Sequence, residues 1–181
     1  MISFKPLDCF LPTQSGNYLT DQTEDFMKPG HLHIGLFQPE IPQNAGNIGR
    51  LAAATQCRLH MVKPLGFSTE EKNLRRPGLD YWPFLDLEIH DHLDDLLTQF
   101  APPRIAFFSK KADRLYTEMP ESTDLLIFGR ETSGLPEELH DQYPECFYKI
   151  PMWHSGVRSL NLANSVSIVL YHQLARRKGY I

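Results

Sequence analysis

Residues 150–179 read IPMWHSGVRSLNLANSVSIVLYHQLARRKG, and the organisation of the rest of the chain follows from this stretch. After Asn161, apolar residues recur at the three- and four-residue spacing of one helix face, which predicts an amphipathic helix. Ser159 or Asn161 can cap its first turn, because a short side-chain oxygen accepts a free backbone N–H there. Basic residues at 176–178 suit the negative carboxyl end of the helix dipole, and Gly179 ends the helix. The predicted order is strand end, polar loop and helix.

The start of this helix carries more polar side chains than a cap needs. One cap takes one residue, whereas four lie here, namely Ser159, Asn161, Asn164 and Ser165. Spare polar groups beside a helix N-terminus can hold a ligand. A cap followed by a polar helix face is the alternative, and without further motifs it is the simpler interpretation.

The composition suits one domain with a sizeable core, since the chain has 181 residues and a formal net charge of −4. The first 26 residues hold four acidic residues and one lysine, so the remainder stands at −1. Basic clusters at 72–76, 110–114 and 176–178 favour a folded polyanion as partner over indiscriminate binding. Ordinary solvated surface charge is the alternative for each cluster.

Cysteine spacing and hydropathy indicate the compartment. Cys9, Cys57 and Cys146 are far apart and show no metal or redox spacing, so we expect a reducing cytoplasm. No apolar run is long enough for a membrane span, and no secretion signal is evident. His90 and His92 lie close together, but the spacing suggests no further ligands, and we therefore expect no metal.

Strands alternate with helices along most of the chain. Residues 91–100 and the segment after Asn44 are predicted to be helical. Leu85, Leu87 and Ile89 alternate with polar residues, which predicts a half-exposed strand. The predicted strands are 32–37, 57–62, 85–90, 104–108, 124–128 and 146–150. This alternation predicts an α/β domain over residues 31–181, with a mostly parallel sheet and helices on both faces, after a flexible or loosely packed extension at 1–30.

Three loops, 38–50, 129–136 and 150–164, follow predicted strand ends. Ligands of such sheets bind outside the carboxyl ends of the strands, so these loops are expected to converge. The glycines of the first loop do not spell G-x-G-x-x-G, and the chain holds no G-x-x-x-x-G-K-[ST]. A nicotinamide-binding Rossmann enzyme and a P-loop NTPase are therefore disfavoured.

These loops carry three segments: PQNAGNIGR at 42–50, FGRETSGLP at 128–136, and IPM at 150–152 with SLNLANS at 159–165. In this order they resemble the three motifs of SPOUT-class RNA ribose 2′-O-methyltransferases, and the resemblance covers about residues 31–181. Within that class the chain resembles most the short, single-domain tRNA enzymes that methylate the wobble nucleotide. The basic stretch KNLRRPGLDY, at 72–81, adds to this narrower resemblance.

The resemblance implies a C-terminal deep trefoil knot, S-adenosylmethionine bound in it, a homodimer, and the tRNA anticodon stem-loop as substrate. Arg130 and Ser133 depart from a proline and a basic residue that are frequent in the second motif. By matching position, the implied cofactor contacts are Phe108, Gly129, Ile150, Ser159, Leu160 and Asn164.

The implied chemistry moves a methyl group from a sulfonium to a ribose 2′-oxygen, and the leaving thioether is neutral, so no metal is needed. The family assigns a base-like role to the arginine that matches Arg50. A guanidinium stays protonated, so Arg50 is better suited to holding a phosphate and stabilising negative charge on the 2′-oxygen. The expected catalytic residues are Arg50, Asn44, Ser159 and Asn161, and the expected RNA contacts are Arg75, Arg76, Arg158 and Glu131.

Aromatic residues near these groups can stack on splayed RNA bases, with ordinary packing as the alternative. The candidates are Trp153, His154, Tyr81 and Trp82. Two other functions stay open: a non-catalytic RNA-binding module, and a related methyltransferase acting on another tRNA or rRNA site or on a base nitrogen. For Glu131 the alternative role is partner of a helix N-terminus, and for Asn44 it is a turn residue.

Overall fold

The computed structural model describes residues 32–68 and 80–179, and within them seven parallel strands form one sheet of order β3-β2-β1-β6-β4-β7-β5. The strands are β1 His33–Phe37, β2 Arg58–Val62, β3 Leu87–His90, β4 Ile105–Phe108, β5 Arg114–Leu115, β6 Leu125–Phe128 and β7 Phe147–Lys149. The helices are α1 Pro42–Thr55, α2 Leu93–Leu97, α3 Glu137–Gln142 and α4 Leu162–Arg177. Short 3₁₀ turns occupy Trp82–Phe84, Pro102–Arg104, Tyr116–Glu118 and Pro144–Cys146. The predicted α/β class is confirmed.

Two hydrophobic cores lie on opposite faces of the sheet. On β6, Leu126 belongs to the core that contains α1 and α4, whereas Leu125 and Ile127 belong to the core that contains α2 and α3. Successive strand residues point to opposite faces, so a strand that is apolar throughout can serve both cores. The apolar runs at 104–108 and 124–128 therefore form the centre of the sheet, as their sequence predicts.

Helix α1 begins earlier than the sequence indicates, because Pro42 takes a first-turn position that needs no backbone N–H. The first motif is thus helical rather than a loop. Its glycines permit close packing: a Cβ at Gly49 would lie 3.3 Å from Leu85 and 3.5 Å from Tyr81. Small residues here bring the 81–85 segment against the helix.

The edge strand β3 differs from its prediction. It buries His90 and leaves Ile89 37% exposed, whereas the sequence pattern places the apolar residues inside. As an edge strand, β3 pairs with β2 alone. Its buried His90 bonds His60 of β2, so the buried side chain on this strand is polar. Helix α2 is also shorter than the predicted 91–100.

Helix α4 is fastened to the segment that precedes β6. Asn161 caps it by accepting the Asn164 backbone N–H at 3.2 Å, which selects Asn161 from the two predicted caps. Near its other end, Gln173 Nε2 lies 2.9–3.1 Å from the carbonyl oxygens of Pro120, Glu121 and Thr123. Arg177 donates to Asp124 at 2.6 Å, and Arg176 bonds the Met119 carbonyl. The basic cluster at 176–178 therefore serves internal contacts in addition to the helix dipole. None of the helices in the described residues is long and apolar enough to cross a membrane.

Candidate active site

The carboxyl ends of three neighbouring strands form the floor of the site. On β4, Phe108 pairs with Phe128 of β6 and Tyr148 of β7, and the Phe108 and Phe128 rings stack with centroids 4.7 Å apart. Gly129 directly follows β6, and Ile150 directly follows β7. The structure thus brings Phe108, Gly129 and Ile150 together at the carboxyl ends of the strands, where ligands of parallel sheets bind.

A tight turn follows β6. Arg130 and Gly134 exchange two backbone hydrogen bonds, at 3.1 and 3.0 Å. A Cβ at Gly129 would lie 2.2 Å from the Gly134 carbonyl carbon and 2.4 Å from the Leu135 nitrogen, so only glycine fits there. Gly134 has a φ of +74°, and a Cβ there would meet nothing within 4 Å. The turn therefore depends on Gly129 for space and on Gly134 for backbone conformation.

Glu131 in this turn holds the start of α1. One carboxylate oxygen accepts the Glu40 backbone N–H at 2.9 Å. The other accepts the Ile41 backbone N–H at 3.2 Å and the Asn44 side-chain amide at 2.9 Å. Because Ile41 occupies the cap position without a polar side chain, Glu131 supplies the cap from a distant loop, and its negative charge suits the helix N-terminus. This is the helix-partner role that the sequence left open for Glu131.

Asn44 and Asn161 extend this contact to the third motif. Asn161 Nδ2 donates to Asn44 Oδ1 at 2.9 Å, while its own Oδ1 caps α4. Asn44 is only 5% exposed. Its two amide atoms are both engaged, one by Glu131 and one by Asn161. The three motifs are therefore joined by one chain of hydrogen bonds, Glu131–Asn44–Asn161, and the predicted convergence of their loops is observed.

Sequence reasoning missed Glu40. Its carboxylate accepts hydrogen bonds from the Thr132 backbone N–H at 3.2 Å and from the Thr132 hydroxyl at 2.8 Å. Glu40 and Glu131 thus bond the two loops reciprocally. A signal was present, since an acidic residue lies between a strand end and a proline-started helix, where it can meet a neighbouring loop.

Arg50 lies in the third turn of α1, and its side chain is 55% exposed. Its guanidinium lies 3.5 Å from the Asp80 carboxylate and 4.7 Å from the centre of the Tyr81 ring. Tyr81 is buried and donates its hydroxyl to the Gly46 carbonyl at 2.7 Å. Burial raises the pKa of the Tyr81 phenol, which keeps that proton in place. Tyr81 therefore packs under Arg50, in line with the packing alternative.

The remaining predicted residues fall in two groups. Ser159 and Leu160 lie exposed in the loop before α4, and Asn164 lies exposed in its first turn. The backbone carbonyl of the exposed residue Arg158 lies 3.5 Å from Lys110 Nζ, which ties this loop to the end of β4. Trp153 is 92% exposed and available for stacking. Three predictions lie outside the described residues: RNA contacts at Arg75 and Arg76, and the extension at 1–30.

Comparisons with known proteins agree with this geometry. A tRNA (cytidine(34)-2′-O)-methyltransferase of Methylovorus glucosotrophus is 46% identical over 140 residues, covering 76% of this chain and 90% of the relative. A structure described as giving insights into the 2-OH methylation of C/U34 on tRNA aligns with TM-score 0.76 and 43% identity, covering 84% of this chain and 99% of that one.

The fold also matches more distant structures. The SpoU methyltransferase AviRb from Streptomyces viridochromogenes, solved with its cofactor AdoMet, aligns with TM-score 0.69 and 22% identity over 83% of this chain and 59% of that one. The model of the SpoU rRNA Methylase family matches residues 31–171. The chain therefore belongs to the SpoU rRNA methylase family.

Proposed function

We propose that this protein transfers the methyl group of S-adenosylmethionine to the ribose 2′-oxygen of the wobble nucleotide, cytidine or modified uridine 34, of tRNA. The observation that carries the proposal is the chain Glu131–Asn44–Asn161, which joins the three family motifs beside three strand ends. The Methylovorus glucosotrophus relative and the structure concerned with C/U34 methylation align over 90% and 99% of their own length, which supports the choice of nucleotide.

The cofactor would be held at the ends of β4, β6 and β7. Half-buried Phe108 and Ile150 offer apolar surface for an adenosyl group, and the loop and first turn at Ser159, Leu160 and Asn164 offer polar groups and backbone. When bound, S-adenosylmethionine supplies an activated methyl group on a positively charged sulfonium. The tight turn that starts at Gly129 would border the cofactor site, and Gly129 places no side chain there. Calorimetry is expected to give one cofactor site per chain, and no binding up to millimolar cofactor would contradict this assignment.

The residues of this chain would position the ribose. They would hold the 2′-oxygen in line with the methyl group that the cofactor supplies, so that the O–CH₃ bond would form as the S–CH₃ bond breaks and the hydroxyl proton would pass to solvent. The guanidinium of Arg50 would hold a phosphate and stabilise the negative charge that develops on the oxygen. Ser159, exposed in the loop before α4, would contact the ribose, and Asn161, which caps α4 and bonds Asn44, would position that loop. Asn44, held by Glu131 and Asn161, is a positioning residue.

The substrate would be bound by groups around this edge. Arg158 is exposed beside it, and the predicted RNA contacts Arg75 and Arg76 precede Asp80, the partner of Arg50, along the chain. These arginines suit phosphates of an anticodon stem-loop, and Trp153 suits stacking on an unpaired base. Glu131 contributes by ordering the loop rather than by contacting RNA, because its carboxylate already accepts three hydrogen bonds.

We further infer a homodimer that uses the outward face of α4. Asn164, Ile168 and Tyr171 share that face at helical spacing, and Ile168 and Tyr171 are 39% and 56% exposed. Val157 and Leu160, also exposed, lie just before the helix. Apolar surface of this kind favours a self-complementary interface. Light scattering is expected to give a dimer, and Ile168→Asp is expected to give a monomer.

The free thiols Cys57 and Cys146 suit the reducing cytoplasm, where tRNA is modified.

We also infer that the C-terminal segment is knotted. Two features support this: β6 lies between β1 and β4 in the sheet, and α4 bonds the 119–124 segment that leads into β6. A chain trace from an experimental structure through residues 105–177 tests the threading.

The decisive experiment compares tRNA from strains with and without this protein. Nuclease digestion and mass spectrometry are expected to show loss of the 2′-O-methyl group at nucleotide 34 alone, and purified protein should restore it with labelled cofactor. If nucleotide 34 stays methylated while another tRNA or rRNA site, or a base nitrogen, loses its methyl group, the substrate assignment is wrong. If no RNA changes while the protein still binds RNA, the protein is a non-catalytic binding module.

A further inference from the structure

A row of histidines runs diagonally across three strands, on the face of the sheet that packs against α2. His33 of β1, His60 of β2 and His90 of β3 follow one another across three neighbouring strands. His33 Nδ1 lies 2.8 Å from His60 Nε2, and His60 Nδ1 lies 2.9 Å from His90 Nε2. The His60 side chain is fully buried, and that of His90 is 5% exposed. The function proposed above does not use these side chains.

A carboxylate faces the same two ring nitrogens. Glu88 pairs with His60 across β2 and β3, and its oxygens lie 3.6 Å from His60 Nδ1 and 3.9 Å from His90 Nε2. The three ligand atoms of His60, Glu88 and His90 all lie within 4.8 Å of one another. The Glu88 side chain is 42% exposed, so the cluster is open to solvent on one side.

We propose that His60, Glu88 and His90 bind a zinc ion between β2 and β3, with water as the fourth ligand. Two imidazoles and one carboxylate form a donor set that zinc uses with an open position. Donors at 2.0–2.1 Å from a tetrahedral zinc are about 3.3 Å apart. The two imidazole nitrogens are 2.9 Å apart, and the two Glu88 oxygens lie 3.6 Å from the His60 nitrogen and 3.9 Å from the His90 nitrogen, on both sides of that value.

The surroundings of His60 support this assignment. A metal-binding histidine commonly bonds a second group through its other ring nitrogen, and His60 Nε2 has His33 Nδ1 in that place. His33 in turn meets the Phe100 ring edge-on, with centroids 4.9 Å apart.

Hydrogen bonding alone accounts for the histidine row but not for the position of Glu88. Neutral imidazoles in suitable tautomers can share protons along the row. Neither Glu88 oxygen, however, lies within hydrogen-bond distance of the nitrogen that it faces. Arg58 bonds Asp86 at 2.8 Å and forms a longer ion pair with Glu88 at 3.8 Å, so Arg58 holds the Glu88 carboxylate only weakly. A small cation between three converging donors explains the arrangement.

The ion would have a structural role. Strand β3 is the outer strand of the sheet, with four residues paired to β2. The cofactor residues lie at β4, β6 and β7, on the other side of β1. A metal bridge between His60 and the two β3 ligands would fasten this edge strand to β2. This zinc site does not depend on the proposed methyl transfer.

The test uses the full untagged chain, stripped with a chelator and titrated with cobalt(II), whose visible absorption reports tetrahedral coordination. We expect one cobalt per chain, displacement by zinc, and a higher thermal midpoint with zinc than without it. Glu88→Gln is expected to weaken cobalt binding at least tenfold, because Gln supplies no charged ligand. Because the Glu88 side chain is half-exposed, this variant is expected to stay folded, and circular dichroism checks that it does.

Two control variants sharpen the result. Asp86→Asn removes the neighbouring exposed carboxylate of the same edge, and His92→Ala removes a nearby exposed histidine; both should bind cobalt as the unchanged protein does. Absence of a tetrahedral cobalt spectrum in the unchanged protein would overturn the proposal and leave the row as a proton-sharing chain. Equal weakening by Asp86→Asn and Glu88→Gln would also overturn it, because binding would then reflect general surface charge.

Discussion

Glu131 shows how much one side chain can organise at the residue scale. Its carboxylate accepts two backbone N–H groups at the start of α1 and one amide hydrogen of Asn44. Hydrogen bonds to a charged group contribute about 1.5–3 kcal/mol each when a partner would otherwise be left unsatisfied. The bond to Asn44 also fixes the amide that Asn161 contacts. Helix stability and site geometry therefore depend on the same residue.

Glu131→Gln is expected to lower both stability and activity. Glutamine has one acceptor oxygen, so its NH₂ group would face at least one donor, and we expect a loss of about 1–3 kcal/mol in the free energy of unfolding. Methylation should fall more than tenfold, because a small displacement of Asn44 misaligns the substrate. Denaturant titration and single-turnover assays measure the two effects. Glu137→Gln, in the exposed pair with Lys111, is the matched control, and equal effects of both variants would contradict the assignment.

Arg50→Ala is expected to abolish methylation and to change cofactor affinity less than about twofold. The guanidinium lies on α1 beside Asp80 and Tyr81, whereas the proposed cofactor residues follow β4, β6 and β7. Arg50→Lys should fail as well, since lysine lacks the planar fork. Arg58→Ala, which removes a surface arginine paired with Asp86, serves as control. A parallel loss of cofactor affinity in Arg50→Ala would place Arg50 in the cofactor site instead.

At the scale of elements, the sharp turn at 129–136 after β6 brings Glu131 of the second motif to Asn44 of the first motif. Gly129→Ala is expected to abolish cofactor binding, because the new Cβ would meet backbone atoms of Gly134 and Leu135 at 2.2–2.4 Å. Backbone cannot yield as a flexible side chain can, so the turn must open. Calorimetry with the cofactor, on protein shown to be folded, measures the effect.

Gly134→Ala in the same turn is the matched comparison. Its Cβ would have open space, so the cost is limited to the positive φ, about 1–2 kcal/mol. We expect this variant to keep cofactor binding within a few-fold. If Gly134→Ala abolished binding and Gly129→Ala did not, close backbone packing would not be what shapes this edge.

For the whole molecule, deletion of residues 1–26 is expected to leave a folded, dimeric and active protein. The family match begins at residue 31, so this deletion leaves the whole matched region in place. The deletion also removes a net charge of −3, which should not weaken binding of a polyanion. Circular dichroism, light scattering and methylation assays check the three properties. An insoluble or monomeric product would show that the extension contributes to the fold.

The sequence by itself determined the α/β class and the order of the three motifs, and it narrowed the cap of α4 to Ser159 or Asn161, because those features depend on spacing along the chain. Periods of two and of three to four residues identify strands and helices locally. The two cores on either side of β4 and β6 follow from the same apolar runs. These are the properties that a local pattern can specify.

Only the tertiary structure decided which side chains meet. Glu131 caps a helix that begins about 90 residues earlier, and Asn161 bonds Asn44 across a separation of 117 residues. These contacts arise because β6 lies beside β1, an adjacency that no local period encodes. The same reason explains His60, Glu88 and His90, whose convergence depends on the pairing of β2 with β3. The same pairing decides which β3 side chains are buried. It buries His90 and exposes Ile89, whereas the sequence pattern predicted a buried isoleucine.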